Sequence, residues 1–291
     1  MTRIEQFGWR GEVESGIARV VSAHGDYYHL VCNETGGEII ARKKKSLFTR
    51  MKSASPDNMR PTKGGVATSP IKPMTGDFVR FRYNTQGDSL ITEVLPRYSS
   101  FERRDPAARR TAQVLAVNFD ALFIMTSLNE DFSLARISRF LSLAEDIGEA
   151  ECVVLLTKAD LLDEGKVKGL EGLEETVAGR ARILRISSLT GEGLETLAPY
   201  VQPCRTVAFV GSSGVGKSTL LNVLAGEDIV ATQEIQEWSG KGRHTTTSRE
   251  LVRLPSGALV LDTPGIREIG RLDEDEEFLA KGVSTHRWRL K

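Results

Sequence analysis

The sequence predicts an α/β protein of two parts, in which a small antiparallel β-barrel precedes a doubly wound, mostly parallel sheet. Three observations predict this fold class. The 291 residues are enough for two domains. The first third alternates polar and apolar residues over short segments, whereas later segments are continuous apolar runs. The charge also divides, because the whole chain balances 39 basic against 39 acidic residues while residues 1–110 hold 19 and 12.

The predicted barrel occupies residues 1–97. Its strands are five short segments bounded by Gly, Asn and Asp turns, at 17–21, 27–32, 38–41, 77–83 and 89–95. Period-two alternation in such segments is typical of half-buried antiparallel strands. Five short strands fit a small barrel, for which the OB-fold is a good candidate. Residues 50–73 show no periodicity and predict a long insertion between strands.

A basic connector is predicted at residues 98–115 and the second domain at 116–270. Apolar runs predict buried parallel strands at 121–125, 152–156, 181–186, 206–210 and 258–261. Helical patterns lie between several of these runs; Ile137, Phe140 and Leu141, for example, share one helical face between the first two. Strands that alternate with helices predict a doubly wound α/β domain. Residues 271–291 are expected to form a short C-terminal tail.

The composition excludes several classes of protein. No apolar run approaches the ~20 residues of a membrane helix, and the amino terminus lacks the apolar core of a signal peptide. The three cysteines, Cys32, Cys152 and Cys204, are widely spaced and do not form a disulfide framework. We therefore expect a soluble cytoplasmic protein without a membrane partner. The basic first third favours a polyanionic partner, and chance surface charge is the alternative.

A phosphate-binding loop follows the apolar run at 206–210. It fits G-x-x-x-x-G-K-[ST] at every position and consists of Gly211, Ser212, Ser213, Gly214, Val215, Gly216, Lys217, Ser218 and Thr219. The glycines let backbone N–H groups point at phosphate oxygens, and the following helix adds its positive dipole end. Lys217 is expected to reach the β- and γ-phosphates, and Ser218 to bind Mg²⁺. The alternative is an accidental Gly/Ser-rich loop, which the predicted strand and helix around it disfavour.

Two later segments suit the γ-phosphate and its metal ion. The last apolar run ends in Asp262-Thr263-Pro264-Gly265, where the Asp262 carboxylate is expected to hold Mg²⁺ and the Gly265 N–H to bond the γ-phosphate. The loop at 240–247 contains Thr246 and Thr247, either of which would complete the Mg²⁺ shell. A solvated surface loop is the alternative.

Two earlier segments suit a guanine base. Thr157, Lys158, Ala159 and Asp160 follow the run at 152–156, while Ser187, Ser188 and Leu189 follow the run at 181–186. A carboxylate at Asp160 can accept from both the N1–H and the exocyclic amine of guanine, a donor pair that adenine lacks. The stem of Lys158 would cover the ring. Backbone N–H groups of residues 187–189 would reach guanine O6.

These motifs occur in an unusual order, because the base-recognition segments precede the phosphate-binding loop. With a β-barrel in front, the sequence resembles the ribosome small-subunit-dependent GTPase A family (RsgA/YjeQ type), whose P-loop GTPase domain is circularly permuted. The resemblance covers roughly residues 10–270. It implies an OB-fold that docks on 16S rRNA, hydrolysis of GTP to GDP stimulated by the small (30S) ribosomal subunit, and a role in late 30S maturation.

Two features depart from the family's pattern. Thr157 stands where many GTPases have Asn, and its hydroxyl makes fewer hydrogen bonds than an amide, which predicts weaker nucleotide binding. The family usually ends in a zinc domain with three Cys and one His. Here no cysteine follows Cys204, and His286 is the only histidine after His244. A four-ligand zinc site cannot be assembled from these residues, so we predict no zinc.

The predicted catalytic residues are His244, Lys217 and Gly265. Ile266 follows Gly265 at the position where many GTPases place a water-orienting Gln. His244, beside the two threonines, is therefore the candidate for positioning the attacking water, with a merely exposed or structural histidine as the alternative. We expect a monomer whose slow hydrolysis is accelerated by the subunit. The runner-up is a nucleotide-controlled RNA-binding adaptor with negligible hydrolysis, and a third possibility is an ATP-dependent enzyme.

The rRNA-binding surface is expected in the basic first third. Its candidate phosphate contacts act as a cluster and comprise Arg42, Lys43, Lys44, Lys45, Arg50, Lys52, Arg60, Lys63, Arg103, Arg104, Arg109 and Arg110. Such contacts predict binding that weakens steeply with salt. Tyr27, Tyr28 and Phe81 are candidate stacking surfaces for bases.

Overall fold

The computed structural model describes residues 1–44, 72–104, 112–162, 170–226 and 250–262 of the chain. Five strands form a closed barrel after a short first helix. These elements are α1 (Arg3–Gln6), β1 (Ile17–His24), β2 (Tyr27–Cys32), β3 (Glu38–Lys43), β4 (Phe78–Arg82) and β5 (Ser89–Val94). The strands pair in the order β1-β2-β3-β5-β4, and β4 pairs back onto β1. The predicted OB-like barrel is confirmed.

Both faces of β1 are buried, although an isolated barrel would leave one face in water. Ala18 and Val20 face the barrel core. Ile17 packs with residues of α1 and β4 outside the barrel, and Val21 belongs to the core of the second domain. The outer face of β1 is therefore covered by the rest of the protein.

The expected basic connector at 98–115 contains a β-hairpin in its described part. Strand β6 (Ser100–Arg104) pairs antiparallel with β7 (Ala112–Val117). Phe101 and Leu115 are buried in the core of the second domain. Alternating apolar residues thus build strands here. Of the basic residues that suggested a connector, Arg103 and Arg104 end β6, and Arg109 and Arg110 lie outside the described residues.

In the part of the second domain that the structure describes, six strands form the sheet, in the order β10-β9-β8-β11-β13-β12. They are β8 (Ala121–Ser127), β9 (Glu151–Thr157), β10 (Arg182–Arg185), β11 (Thr206–Gly211), β12 (Glu250–Arg253) and β13 (Leu259–Asp262). All are parallel except β12. Among the described residues of this domain, the α-helices are α2 (Leu134–Leu143), α3 (Leu173–Val177) and α4 (Lys217–Ala225).

Separate apolar cores on the two faces of this sheet confirm the doubly wound architecture. One core contains Ile137 and Phe140 of α2, and the other contains Leu220 and Leu221 of α4. The central strands are buried on both sides, which explains why their sequences are continuous apolar runs.

Strand β12, which no sequence pattern predicted, joins the two domains. Ser22 of β1 pairs with Glu250 of β12, so the barrel and the second domain share one 11-stranded sheet. Within the ranges that the structure describes, no helix is both long and apolar enough to cross a membrane.

Candidate functional site

The carboxyl ends of four parallel strands lie side by side at one edge of the sheet. Strands β9, β8, β11 and β13 are neighbours in that order, with Ser127 opposite Thr157 and Met125 opposite Gly211. Ligands of open α/β sheets bind outside this edge. The structure therefore brings together the predicted phosphate-binding loop and the segment that follows β9, although the two are distant in sequence.

The phosphate-binding loop is a tight turn between β11 and α4. Gly214 and Gly216 have φ values of +76° and +101°, which side-chain-bearing residues rarely adopt. At Gly211 a Cβ would lie 2.6 Å from the Met125 carbonyl oxygen. Val215 is buried beneath the loop. Glycine is thus required by close approach at the first position and by backbone conformation at the other two.

Lys217 is the first residue of α4, and its side chain extends back over the phosphate-binding loop. Its Nζ donates to the carbonyl oxygens of Gly211 at 2.7 Å and Ser212 at 2.6 Å. The ammonium group is therefore held beside the loop backbone, where phosphate oxygens bind in P-loop proteins. Ser218 follows at a partly buried position in the same turn of α4.

A hydrogen bond from Thr157 connects the end of β9 to the phosphate-binding loop. Its side chain is buried, and its hydroxyl donates to the Val215 carbonyl oxygen at 2.6 Å. The Thr126 carbonyl oxygen, at 3.3 Å, is the second acceptor near this hydroxyl. The threonine therefore makes a direct link between the base-recognition segment and the loop.

Hydrogen bonds also connect the two predicted base-recognition segments to each other. The Ser187 hydroxyl donates to the Asp160 carboxylate. The same hydroxyl oxygen accepts the N–H groups of Leu189 at 3.2 Å and Thr190 at 3.1 Å, while the Ala159 N–H donates to the Ile186 carbonyl oxygen at 3.0 Å. These bonds place the Asp160 carboxylate next to the turn that follows β10.

The surfaces of these segments differ in exposure. Asp160 is exposed, in a 3-10 turn at Ala159–Leu161, and the preceding Lys158 is in the left-handed conformation, with φ +58°. Ser188 is half-buried and Leu189 is 82% exposed. The Asp160 carboxylate is therefore open to solvent, beside the turn that contains Ser187 and Ser188.

Several predicted site residues lie outside the described residues, namely His244, Thr246, Thr247 and Gly265. Of Asp262 the structure describes the backbone, as the last residue of β13. Because β13 is the parallel neighbour of β11, this position belongs to the same edge of the sheet as the phosphate-binding loop.

The three aromatic residues that were predicted to stack on bases differ in their exposure on the barrel. Tyr27 is 43% exposed, whereas Tyr28 is fully buried and Phe81 nearly so, both in the barrel core. The prediction for Tyr28 and Phe81 is wrong, because these side chains point inward. Strict alternation along β2 would have distinguished the neighbouring tyrosines.

Ile40 and His29, which the sequence pattern did not single out, lie beside Tyr27 on this surface. Ile40 is 46% exposed and is paired across the strands with the half-buried His29. The Arg42 guanidinium carbon lies 4.3 Å from the centre of the Tyr27 ring, and Arg42 also forms an ion pair with Asp88 at 2.6 Å. Aromatic, apolar and cationic groups thus share one face of β2 and β3.

Together, these features define a class of protein. The phosphate-binding loop follows a central strand of a parallel sheet. The predicted base-recognition segments precede it along the chain, and a five-stranded barrel precedes both. This is a circularly permuted P-loop GTPase fold with an OB-like barrel.

Comparison with known proteins identifies the family. Residues 94–272 match the family model described as RsgA GTPase, and the chain belongs to this family, as its motifs predicted. It is 40% identical over 253 residues to the small ribosomal subunit biogenesis GTPase RsgA 2 of Lactiplantibacillus plantarum. That alignment covers 87% of this chain and 66% of the relative, so the chain spans just under two thirds of the relative's length.

Solved structures agree with this fold. YjeQ from Thermotoga maritima matches with a TM-score of 0.58 and 27% identity, over 87% of this chain and 76% of that protein. YloQ, a circularly permuted GTPase, matches with a TM-score of 0.51 and 22% identity, over 88% of this chain and 74% of that protein. The second match supports the fold alone.

Proposed function

We propose that this protein binds GTP and hydrolyses it to GDP and phosphate with Mg²⁺. The observation that carries the proposal is the meeting of the P-loop, Thr157, Asp160 and the Ser187 turn at one edge of the sheet. A nucleotide held there would have its phosphates on the loop backbone and its base at the exposed Asp160 carboxylate.

The preference for guanine follows from hydrogen-bond chemistry. An ionised carboxylate only accepts hydrogen bonds, and guanine offers two adjacent donors where adenine does not. A site built around such a pair disfavours the analogue that lacks it, because a bound adenine would cover the Asp160 carboxylate without offering both donors. Thermal melting with GDP and with ADP tests this: GDP with Mg²⁺ is expected to raise the melting temperature. Equal stabilisation by ADP would refute a guanine site.

The donors available for the metal are oxygen atoms, which suit Mg²⁺. Ser218 lies in the first turn of α4 and Asp262 ends the neighbouring strand β13, so both belong to one edge of the sheet. Thr246 or Thr247 would complete the set. When bound, the ion would neutralise charge on the β- and γ-phosphates.

The chain's own groups would stabilise the charge that develops during hydrolysis. We assign this role to Lys217 and to the Gly265 N–H, and the positioning of water to His244. His244→Ala is expected to lower subunit-stimulated turnover and to leave GTP affinity unchanged. Unaltered stimulated turnover would rule out His244.

The proposed partner is the small (30S) ribosomal subunit, bound through 16S rRNA during late maturation. The relative from Lactiplantibacillus plantarum is named for small ribosomal subunit biogenesis. In this chain the excess of basic residues lies in residues 1–110, with 19 basic and 12 acidic residues. The exposed Tyr27 ring, with Arg42 over it, is suited to stack on an unpaired base. We propose that the protein acts as a monomer in the cytoplasm.

The proposed division of labour is a barrel at 1–97 that binds rRNA and a GTPase domain at 116–270, with 98–115 between them and a tail at 271–291. Each phosphate contact made by Lys or Arg releases counterions, so affinity for the subunit is expected to fall steeply with salt. Binding measured between about 50 and 200 mM salt tests this. A flat salt dependence would contradict the proposal.

The alternative function is a nucleotide-controlled RNA-binding adaptor with negligible hydrolysis. Phosphate release measured with and without small subunits separates the two functions, because only the GTPase produces phosphate that increases with added subunit. The expectation that no zinc binds stays a prediction, and elemental analysis of the purified protein tests it.

A further inference from the structure

The side chain of Arg19 is fully buried between the barrel and the GTPase domain. Its guanidinium donates to the Asn118 carbonyl oxygen at 2.7 Å and to the Thr206 hydroxyl at 3.0 Å. It also donates to the carbonyl oxygen of Phe7 and, at 3.4 Å, to that of Gly76. One arginine of the barrel thus connects four separate segments; we call this contact set the Arg19 junction.

All four acceptors of the Arg19 junction are uncharged. Burial lowers the pKa of the Arg19 guanidinium, and the nearby Asp120 and Asp77 carboxylates oppose this only in part. The guanidinium carbon is 4.8 Å from the centre of the Phe78 ring. A cation removed from water is tolerated only while its N–H groups remain satisfied. The planar guanidinium reaches acceptors in several directions, which a lysine ammonium on a flexible stem does not reproduce. The junction therefore favours one relative orientation of the segments that it joins.

Two glycines allow the domains to approach this closely. A Cβ on Gly8, where φ is +83°, would lie 2.8 Å from Nη1 of Arg19. A Cβ on Gly76, where φ is +96°, would lie 2.7 Å from the Val117 carbonyl oxygen. Backbone on both sides of the junction is therefore packed without room for a side chain, which adds a steric constraint to the hydrogen bonds.

The position of the junction relates it to both proposed binding surfaces. Thr206 begins β11, and Gly211 at the other end of this strand begins the P-loop. Asn118 precedes β8, the neighbour of β11. On the barrel side, Arg19 pairs with Val31 of β2, the strand that also presents Tyr27.

We propose that Arg19 is a positioning residue that couples the barrel to the nucleotide site, so that nucleic acid bound on the barrel changes GTP turnover through the junction. The proposal rests on the function proposed above. The same junction couples binding at the two surfaces. Coupling of binding, unlike that of turnover, is reciprocal, so nucleotide bound at the P-loop is expected to change the affinity of the barrel for nucleic acid and the hydrogen exchange of the barrel strands that the junction joins.

This reciprocity gives a test that needs no ribosome. Hydrogen–deuterium exchange is measured on the full chain with and without GDP and Mg²⁺. In the unmodified protein, GDP is expected to slow exchange both in the P-loop and in residues 17–32 of the barrel. In Arg19→Lys, the P-loop remains protected, and the effect of GDP on the barrel falls by about fivefold or more.

Turnover supplies the second measurement. Arg19→Lys is expected to reduce phosphate release at saturating small subunits by about fivefold or more, with intrinsic hydrolysis and GDP affinity within twofold of the unmodified protein. Gly76→Ala, which interferes with the same junction sterically, should behave likewise if Arg19→Lys does not fold. The matched control is Ile91→Val, which removes a methylene from the barrel core away from the junction and should preserve both the barrel protection and the stimulation.

The outcomes separate this proposal from the function on which it rests. In one outcome, GDP protects the P-loop and protects the barrel of Arg19→Lys as strongly as that of the unmodified protein. This outcome would overturn the coupling and leave the nucleotide site intact. Loss of stimulation in Ile91→Val as large as in Arg19→Lys would also overturn it, because barrel stability would then be the cause. No protection of the P-loop in the unmodified protein would refute the nucleotide site itself, and the coupling with it.

Discussion

Replacing Thr157 by valine tests the link between base recognition and the phosphate-binding loop. Valine has nearly the shape of threonine but no hydroxyl, so the change removes the bond to the Val215 carbonyl oxygen at 2.6 Å with little change in volume. The site is buried, and water therefore cannot replace the lost donor. We expect the loop to be held less firmly and GDP to bind more weakly.

The magnitude follows from this single bond. A typical intramolecular hydrogen bond contributes about 1 kcal/mol net, and leaving a buried acceptor unsatisfied costs about 1–3 kcal/mol. The Val215 carbonyl oxygen is such an acceptor. Since about 1.4 kcal/mol corresponds to a tenfold change in an equilibrium constant, GDP affinity is expected to fall by up to roughly 150-fold. This limit applies if GDP binding must restore all of the order that the loop has lost.

Isothermal titration with GDP measures this loss, and Thr157→Ser is the matched control because it retains the hydroxyl. Thr157→Ser should bind GDP nearly as well as the unmodified protein. Unchanged affinity in Thr157→Val, or an equal loss in both variants, would refute the reasoning.

Three further predictions concern single groups. Gly211→Ala should lower the melting temperature more than Gly214→Ala. A Cβ on Gly211 would lie 2.6 Å from a backbone carbonyl oxygen, whereas a Cβ on Gly214 meets nothing within 4 Å. Thermal denaturation of both variants measures the difference, and equal losses would contradict the prediction. Ser187→Ala removes the hydroxyl that donates to the Asp160 carboxylate. Because this carboxylate is exposed, the lost bond is worth about 1 kcal/mol, so GDP affinity measured by titration should fall by about fivefold; an unchanged affinity would exclude this role. Burial raises the pKa of the Cys152 thiol from 9.0 to about 11. At pH 8 its alkylation should therefore be about 100-fold slower in the folded than in the unfolded chain, and it should accelerate as the pH rises toward that pKa. Mass spectrometry of iodoacetamide-treated protein measures the two rates, and equal rates would contradict the assigned environment.

The central strands could be predicted because their environment is the same everywhere along their length. A strand covered by helices on both faces must be apolar at every position, so β8, β9 and β11 appear as runs in the sequence. The phosphate-binding loop could be predicted for a similar reason, since its glycines and its lysine are required by backbone conformation and by phosphate charge. Both features depend on local chemistry.

The elements that sequence patterns did not predict depend on distant parts of the chain. Strand β12 exists as the antiparallel link between β13 and β1, and its short segment carries no pattern of its own. The hairpin of β6 and β7 is fixed by burial of Phe101 and Leu115 in the core. Tyr28 is a different case, because alternation along β2 places it on the same face as Leu30 and Cys32 of the barrel core, and this local pattern was available in the sequence.

The sequence by itself determined the two-part architecture, the permuted order of the motifs and the residue types of the proposed nucleotide site, because periodicity, glycine placement and charged residues are local properties. The tertiary structure decided which of these residues meet. Only the alignment of β9 and β11 across β8 brings Thr157 to Val215, and only the packing of the barrel on the second domain buries Arg19 against Asn118 and Thr206. Contacts between distant segments depend on strand order and domain packing, which no local pattern encodes.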